Sequence, residues 1–486
     1  MKTMADWKRL SKISILLMFL SKIRELLIPL FVTLFAGGTY GITAWVFPLF
    51  IIGLLIYCVF YWLFFRYMFE DNELRIKKGI FVKKHRYIQK NRVQSVAVHS
   101  PLLHRLFNVV KVKIETAGGG MEAEAELVAI PENQANSIRE ALGNRDNKEK
   151  RESTSITADC DSYEYNKTAD DPYSITYKVS WKAIILAGVT SGKVGLVFSA
   201  AAAVFSQIDQ LLPKGFYEES FGTLLSMGTY LLTGIFVMLA LIAWLVSILI
   251  TIKQYGNFEI RKSENEIIIS RGILEKRELT LQLDRVTSVR YISNPIRQWL
   301  GYWSIYVDSA GGGLKEEQLS TVLLPLGDKA EMKKLTEDIL PGAELPQEII
   351  PLPRRAAPRY IIRASFIWWM LLVPVTVWIP RGWLFVLIPL FFTYLGWQRY
   401  KDGGFLFSSE HLVLQTRQFN LSCNILPRTR IQSLTFQQSF FQAHRKLYTI
   451  SANILSTSGG RTFRLKDLEE NNTSRNMFDW YRKRNY

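Results

Sequence analysis

A chain of 486 residues carrying 60 Lys and Arg against 43 Asp and Glu has a formal net charge of +17, yet 48% of it is hydrophobic, with 13 Trp and 29 Phe. This length suggests about three domains. Apolar blocks set apart by basic ones fit a membrane protein with cytosolic domains, and its positive-inside bias accounts for the basic surplus without nucleic-acid binding. Cys58, Cys160 and Cys423 share no paired spacing, which excludes a disulfide framework and fits a reducing compartment.

The N-terminal residues 1–12 are basic, and no small-residue cleavage site follows the first apolar run, so the N-terminus is expected to stay on the mature protein. Residues 13–20 are apolar but too short to span, and Lys22, Arg24 and Glu25 follow them, which predicts an interfacial leader helix. Residues 26–40 and 42–65 then read as two spans around the Gly37-Gly38 turn. The second apolar block superposes residues 15–27 on 184–196 and sets Lys193 opposite Arg24. Lys193 is thereby either a charge in mid-membrane, with a functional role, or a snorkelling anchor at the start of a span. Spans at 194–212 and 224–252 follow on this register, with Asp209 near the outer face. A third pair, 361–379 and 383–397, flanks the turn Pro380-Arg381-Gly382 and sets Trp368, Trp369, Trp378, Trp383 and Trp397 mostly towards span ends.

Each apolar block precedes one copy of a repeat. Gly79 and Arg92, Gly272 and Arg285, and Arg417 and Arg430 stand at one spacing, and each arginine is followed at plus three by a serine, Ser95, Ser288 or Ser433. Ala117-Gly118-Gly119-Gly120 and Ala310-Gly311-Gly312-Gly313 lie equally far downstream, whereas Ser458-Gly459-Gly460 comes late, so the third copy has drifted most. A period this long makes each copy a domain rather than a solenoid turn.

Within the copies, Val110, Val112 and Ile114, then Trp303, Ile305 and Val307, then Tyr448, Ile450, Ala452 and Ile454 alternate with polar neighbours, as half-buried antiparallel strands do. Ser100-Pro101 and Asn294-Pro295 predict starts of short helices. Longer helices at 131–142, 327–340 and 466–484 are expected to close the domains. Residues 143–178 form a polar linker and 341–360 a proline-rich, extended one. With both termini in the cytoplasm, the outer loops keep only Lys214 and Arg381 of the 60 basic residues.

These features together, with the Gly-Ile steps at Gly79-Ile80 and Gly272-Ile273 and the Arg-Val-Gln/Thr-Ser-Val core, resemble the bacterial membrane-flanked family whose soluble unit is pleckstrin-homology (PH)-like. Three units with six spans are most similar to its YdbT-type members. The resemblance implies a seven-stranded, barrel-like sheet capped by a helix in each unit, and a smaller membrane protein of the same family as partner. The third copy departs from the pattern, with Arg417-Gln418 for Gly-Ile, Pro427 inside the motif and no Ala-Gly-Gly.

The recurring Arg92, Arg285 and Arg430 could grip an anionic headgroup or a partner's carboxylate, or pair and cap carbonyls within their own domains. The glycine triplets lack the lysine and hydroxyl spacing of a phosphate loop and read as turns. Lys77, Lys78, Lys83, Lys84 and Arg86, just after the second span, could dock the first domain on an anionic leaflet or reflect positive-inside topology alone; Arg24 and Lys193 are further candidate surface contacts. His85, His99, His104, His411 and His444 show no metal-binding spacing, and no nucleophile motif occurs, so neither catalysis nor a cofactor is expected.

The sequence thus predicts six α-helical spans plus three cytosolic β-barrel-like, PH-like domains, each capped by a C-terminal helix. The divisions are 1–65 leader and hairpin, 66–142 domain 1, 143–178 linker, 179–252 leader and hairpin, 253–340 domain 2, 341–360 linker, 361–400 hairpin and 401–486 domain 3. The function expected is that of a non-catalytic scaffold in the cytoplasmic membrane, binding lipid or a partner and serving envelope stress or resistance to membrane-active peptides. A transporter component is the alternative, with Ser191, Lys193, Gln207 and Asp209 as the polar groups available in its spans.

Overall fold

The computed structural model describes residues 7–36, 40–70, 73–80, 82–116, 125–142, 175–192, 195, 199, 229–309, 321–346, 348–378, 382–456, 459–469, 477 and 479–481. One compact unit takes in residues up to Thr280, and a second begins at Leu281, so the division falls inside the second repeat.

Each repeat begins with a short strand placed before its apolar block: β1 (Lys8–Arg9), β8 (Ile175–Lys178) and β15 (Ile350–Pro351). After the apolar block come three more strands of the same sheet. In the first repeat these are β2 (Arg66–Glu70), β3 (Glu73–Lys78) and β4 (Lys84–Gln89); in the second β9 (Glu259–Lys262), β10 (Glu266–Arg271) and β11 (Lys276–Gln282); in the third β16 (Gly404–Phe407), β17 (His411–Arg417) and β18 (Leu421–Pro427). The strand before the helices pairs with the first strand after them every time, Lys8 opposite Tyr67, Ile175 opposite Lys262 and Ile350 opposite Phe405. The chain therefore leaves each sheet into an apolar block and returns to that sheet beside its point of departure. Residues 175–178 and 350–351, read as linker, are strand, because their backbone groups complete a sheet edge.

A second, three-stranded set follows in each repeat: β5 (Val93–Ser100), β6 (Val109–Thr116) and β7 (Ala125–Pro131); β12 (Val286–Ser293), β13 (Trp303–Ser309) and β14 (Thr321–Gly327); β19 (Ile431–Gln437), β20 (Leu447–Ser456) and β21 (Gly459–Glu469). The sets do not stay within their own repeats. One seven-stranded sheet runs β7-β6-β5-β11-β10-β9-β8 and another β14-β13-β12-β18-β17-β16-β15, while β1-β2-β3-β4 and β19-β20-β21 stand as separate sheets. The second set of one repeat is thus hydrogen-bonded edge to edge with the first set of the next.

Helices Glu132–Leu142 and Lys329–Ile339 close the first two repeats, the latter started by a capping box in which Asp328 accepts from the Glu331 amide. The third closing helix does not begin at Lys466, because β21 runs on to Glu469; helical residues are described at Met477 and Asp479–Tyr481. The first repeat buries Leu74, Ile88, Val112, Leu127, Ile130 and Ile138 in one core, and the third buries Leu412, Leu426, Ile450, Ile454, Leu465 and Met477 in another.

Among the described residues two helices are long and apolar enough to cross a membrane, Val237–Tyr255 and Arg354–Trp378, with shorter apolar stretches at Ile13–Ile23 and Leu49–Phe64. Six spans are therefore not found there; the expected span at 194–212, with Lys193, Gln207 and Asp209, lies almost wholly outside the described residues, as does the start of the one at 224–252. The Gly37-Gly38 turn and both glycine triplets also lie outside. The leader at 13–20 is not a separate element, since one helix, Ile13–Ala36, runs straight through Lys22, Arg24 and Glu25. Its sequence has no glycine before Gly37, Lys22 and Glu25 pair at 2.8 Å, and Leu17 is buried against Val109 and Ala129. The corresponding helix Trp181–Val189 packs Gly188 close to Ile248 of helix Thr229–Tyr255.

Candidate functional site

The recurring arginine closes a single 3₁₀ turn in every copy, Lys90–Arg92, Leu283–Arg285 and Arg428–Arg430, and carries the chain from the last strand of its first set into the first strand of its second. Two residues into that strand the pairing slips, between Val93 and Ser95, Val286 and Ser288, and Ile431 and Ser433. A bulge adds twist and bends a strand, so turn and bulge together redirect the chain.

The serine after the bulge bonds across to the neighbouring strand in all three copies. Ser95 Oγ lies 3.2 Å from Glu115, Ser288 Oγ donates to Asp308 Oδ2 at 2.6 Å, and Ser433 Oγ accepts from Asn453 Nδ2 at 2.7 Å. Ser95 and Ser288 are buried and Ser433 is exposed. Asp308 is fully buried and also takes Arg461 Nη1 at 2.6 Å, an ion pair between the second and third repeats that sequence spacing gave no means of finding. Beside it Arg290 lies over the Tyr306 ring, and burial lowers its pKa.

Of the recurring arginines, Arg285 and Arg430 meet at Asp284. Arg92 is exposed, Arg285 Nε lies 3.9 Å from Asp284, and Arg430 donates to the Asp284 backbone carbonyl. Arg417, which replaces glycine in the third copy, bonds Asp402 and reaches Gln298 of the preceding repeat. Gly79 and Gly272, its counterparts, hold φ of +116° and +102°, and a Cβ at either would meet a backbone oxygen at 1.9 or 2.0 Å. Asn108, Gly301 and Lys446, all left-handed, occupy one further equivalent position after the short helix of each copy, so the backbone geometry there is kept with three different residues.

The basic residues of the first domain lie on one sheet. Cross-strand partners run Arg9, Arg66, Lys77 and His85 in a row through β1, β2, β3 and β4, with Lys78 opposite Lys84. Directly opposite residues share a face, so this row is a basic strip on the face away from Tyr67, Leu74, Ile76 and Ile88, which face the core. Lys77 and Lys78 are half-buried, and Lys83, Lys84 and Arg86 are exposed. Lys77 Nζ sits 4.0 Å from the Trp7 ring centroid. The strip begins where the apolar helix Tyr40–Phe64 ends, because Arg66 opens β2. Arg24 lies on helix Ile13–Ala36, and Lys193 lies outside the described residues.

The junction between the first two repeats is polar at its rim. Arg139 Nη1 bonds Glu278 at 3.1 Å, Arg105 donates to the Ile273 carbonyl, and His99 Nδ1 lies 3.7 Å from Glu275. Burial lowers the His99 pKa, while contact with His99, aided by Arg277, holds Glu275 down to about 2.

Three copies of one turn-and-bulge β unit, each entered from an apolar block, define a protein of repeated PH-like domains. The chain belongs to the bacterial PH domain family: the family described as Bacterial PH domain matches residues 23–146, 219–342 and 361–484. Over 495 aligned residues it is 32% identical to the UPF0699 transmembrane protein YdbT of Bacillus subtilis (strain 168), covering 98% of each chain. No solved structure matches it.

Proposed function

We propose that this chain is a multi-pass scaffold of the cytoplasmic membrane, with three helical hairpins making six spans and three PH-like domains on the cytosolic side. The observation that carries the reading is the pairing of the strand before each apolar block with the strand after it. A chain that leaves a sheet and returns to its neighbouring strand crosses a bilayer an even number of times. The name of the Bacillus subtilis relative, a transmembrane protein, supports the membrane assignment, and the scarcity of lysine and arginine in the outer loops supports the orientation.

In this reading the scaffold is non-catalytic. The basic strip from Arg9 to His85 meets the anionic leaflet where helix Tyr40–Phe64 ends, each cation near the surface contributing roughly 1 kcal/mol. The domains bind a smaller membrane protein of the same family, and the complex serves tolerance of envelope stress or membrane-active peptides. The test is deletion of the gene and its return as wild type or as Arg66→Glu/Lys77→Glu. Sensitivity to cationic membrane-active peptides is expected to rise on deletion, to be restored by wild type and to be restored poorly by the variant; unchanged sensitivity on deletion overturns the physiological reading.

A further inference from the structure

Among the described residues the chain pairs one kind of strand edge twice and leaves it without a neighbouring strand at both ends. The first strand of a second set joins the last strand of the next repeat's first set at β5 with β11 and at β12 with β18. Among the described residues β19 ends the sheet of the third repeat and β4 ends that of the first. Other sheet ends, at β1, β8 and β15 and at β7, β14 and β21, recur in every repeat. Among the described residues β4 and β19 lack the neighbouring strand that their counterparts have, and at the start of β19 the Tyr481 hydroxyl donates to the Gln432 carbonyl at 3.0 Å.

The exposure of the side chains follows the same division. Thr287, Ser288 and Val289 on β12 are buried, whereas Gln432 and Ser433, their counterparts on β19, are exposed. Cys423, Asn424 and Ile425 on β18 are buried, whereas His85, Arg86 and Tyr87 on β4 are exposed, Tyr87 at 61%. An uncharged open edge of this length is a template for another strand, and β19, Ile431–Gln437, carries no charge and no proline.

We propose that the β19 edge of one copy pairs with the β4 edge of a second copy, so that chains join head to tail through the contact that joins repeats within a chain. The internal junction sets Val289 opposite Ile425, Arg290 opposite Asn424, Tyr291 opposite Cys423 and Ile292 opposite Ser422. Carried over at the repeat spacing, this register sets Leu434 opposite Tyr87, Thr435 opposite Arg86, Phe436 opposite His85 and Gln437 opposite Lys84. The faces match, with apolar and aromatic groups together on one and uncharged polar groups against cations on the other. Two β4 edges would instead set lysine and arginine against their like, which opposes that pairing. A contact between two different surfaces does not close on itself in a dimer, so copies form rings or open chains.

The test is made in native membranes with full-length Cys160→Ser protein. Copies carrying Thr435→Cys under one tag are co-expressed with copies carrying Arg86→Cys under another, then mildly oxidised. Cross-strand partners bring their Cβ atoms to about 4.5–5.5 Å, close to disulfide reach. The expected result is a cross-link joining the two tags, absent when either variant is expressed alone, and a ladder of multimers from the double variant. With Gln437→Cys and Lys84→Cys as reporters, Thr435→Lys is expected to cut the yield roughly fivefold, and Arg86→Glu on the other copy to restore it, which a folding defect would not allow. No cross-link, Thr435→Cys joined only to itself through two β19 edges, or either cysteine joined only to a different protein would each overturn the proposal.

Discussion

The Asp467 carboxylate, fully buried in the third domain, accepts from Arg363 at 2.9 Å and also meets Arg359 at 3.0 Å. Both arginines lie near the start of the last long apolar helix, Ala357–Trp378, one turn apart on the same face. Gln442 Nε2 holds the same carboxylate at 2.9 Å, and Asp467 itself sits at φ +58°. One strained acidic residue therefore fastens the helix to the domain.

Replacing Asp467 with Asn keeps a residue that tolerates left-handed backbone while removing the charge. About 3 kcal/mol of stability should be lost, less than for a wholly buried pair because Arg363 can still reach water. Denaturant unfolding of the full chain in detergent measures the loss. Hydrogen exchange should rise first in β21 and in residues 357–363, and a uniform rise across the chain would mean that no local clamp exists.

Asp308 presents a sharper case. Arg461→Met leaves a fully buried carboxylate bonded to Ser288 with the Arg290 charge still near it, so the loss should fall below the about 3–5 kcal/mol of a fully broken buried pair, and adding Asp308→Asn should recover part of it. Glu115→Gln, at the half-exposed equivalent in the first repeat, should cost under about 1 kcal/mol. Thermal unfolding of the four proteins side by side checks the order.

At Gly272 an alanine Cβ would stand 2.0 Å from the Glu275 carbonyl oxygen, on backbone at φ +102°. Gly272→Ala should therefore destabilise by more than about 1 kcal/mol, and Gly79→Ala likewise. Arg417→Gly, at the equivalent place in the third copy, should not stabilise, because it removes the bond to Asp402. Melting temperatures of the three variants test this directly.

The first junction should weaken in acid. The folded pKa of His99 is lowered from 6.5 by burial, so the unfolded chain binds its proton first, and the stability His99 contributes is full above about 6.5 and falls as pH drops below it. Glu275, at about 2 in the folded chain, adds loss in the same direction below its ordinary 4.5. His99→Gln should flatten the melting profile between pH 7 and 5 and shrink the loss below pH 4.5 without abolishing it, because Arg277 still holds Glu275.

Much of this arrangement was legible in the sequence because it recurs. The spacing of Gly79 to Arg92 and of Arg92 to Ser95 returned as turn, bulge and cross-strand bond, and the alternation at Val110, Val112 and Ile114 returned as β6. Two-residue strands such as Lys8–Arg9 carry no period to read, and their partners lie beyond a whole apolar block. The leader helix was divided too early because Lys22, Arg24 and Glu25 look like a boundary, although charged residues with good helix propensity continue a helix. Asp308 and Asp467 find their arginines only through tertiary packing, with nothing local to mark them.

The most direct measurement is thiol accessibility in intact cells, in Cys160→Ser protein carrying one added cysteine at a time. Lys214→Cys and Arg381→Cys, in the loops assigned to the outside, should react with a membrane-impermeant maleimide. Val82→Cys, in the exposed turn between β3 and β4, should react only after permeabilisation. Labelling of Val82→Cys in intact cells, or of Lys214→Cys only after permeabilisation, would contradict three cytosolic domains borne on three hairpins.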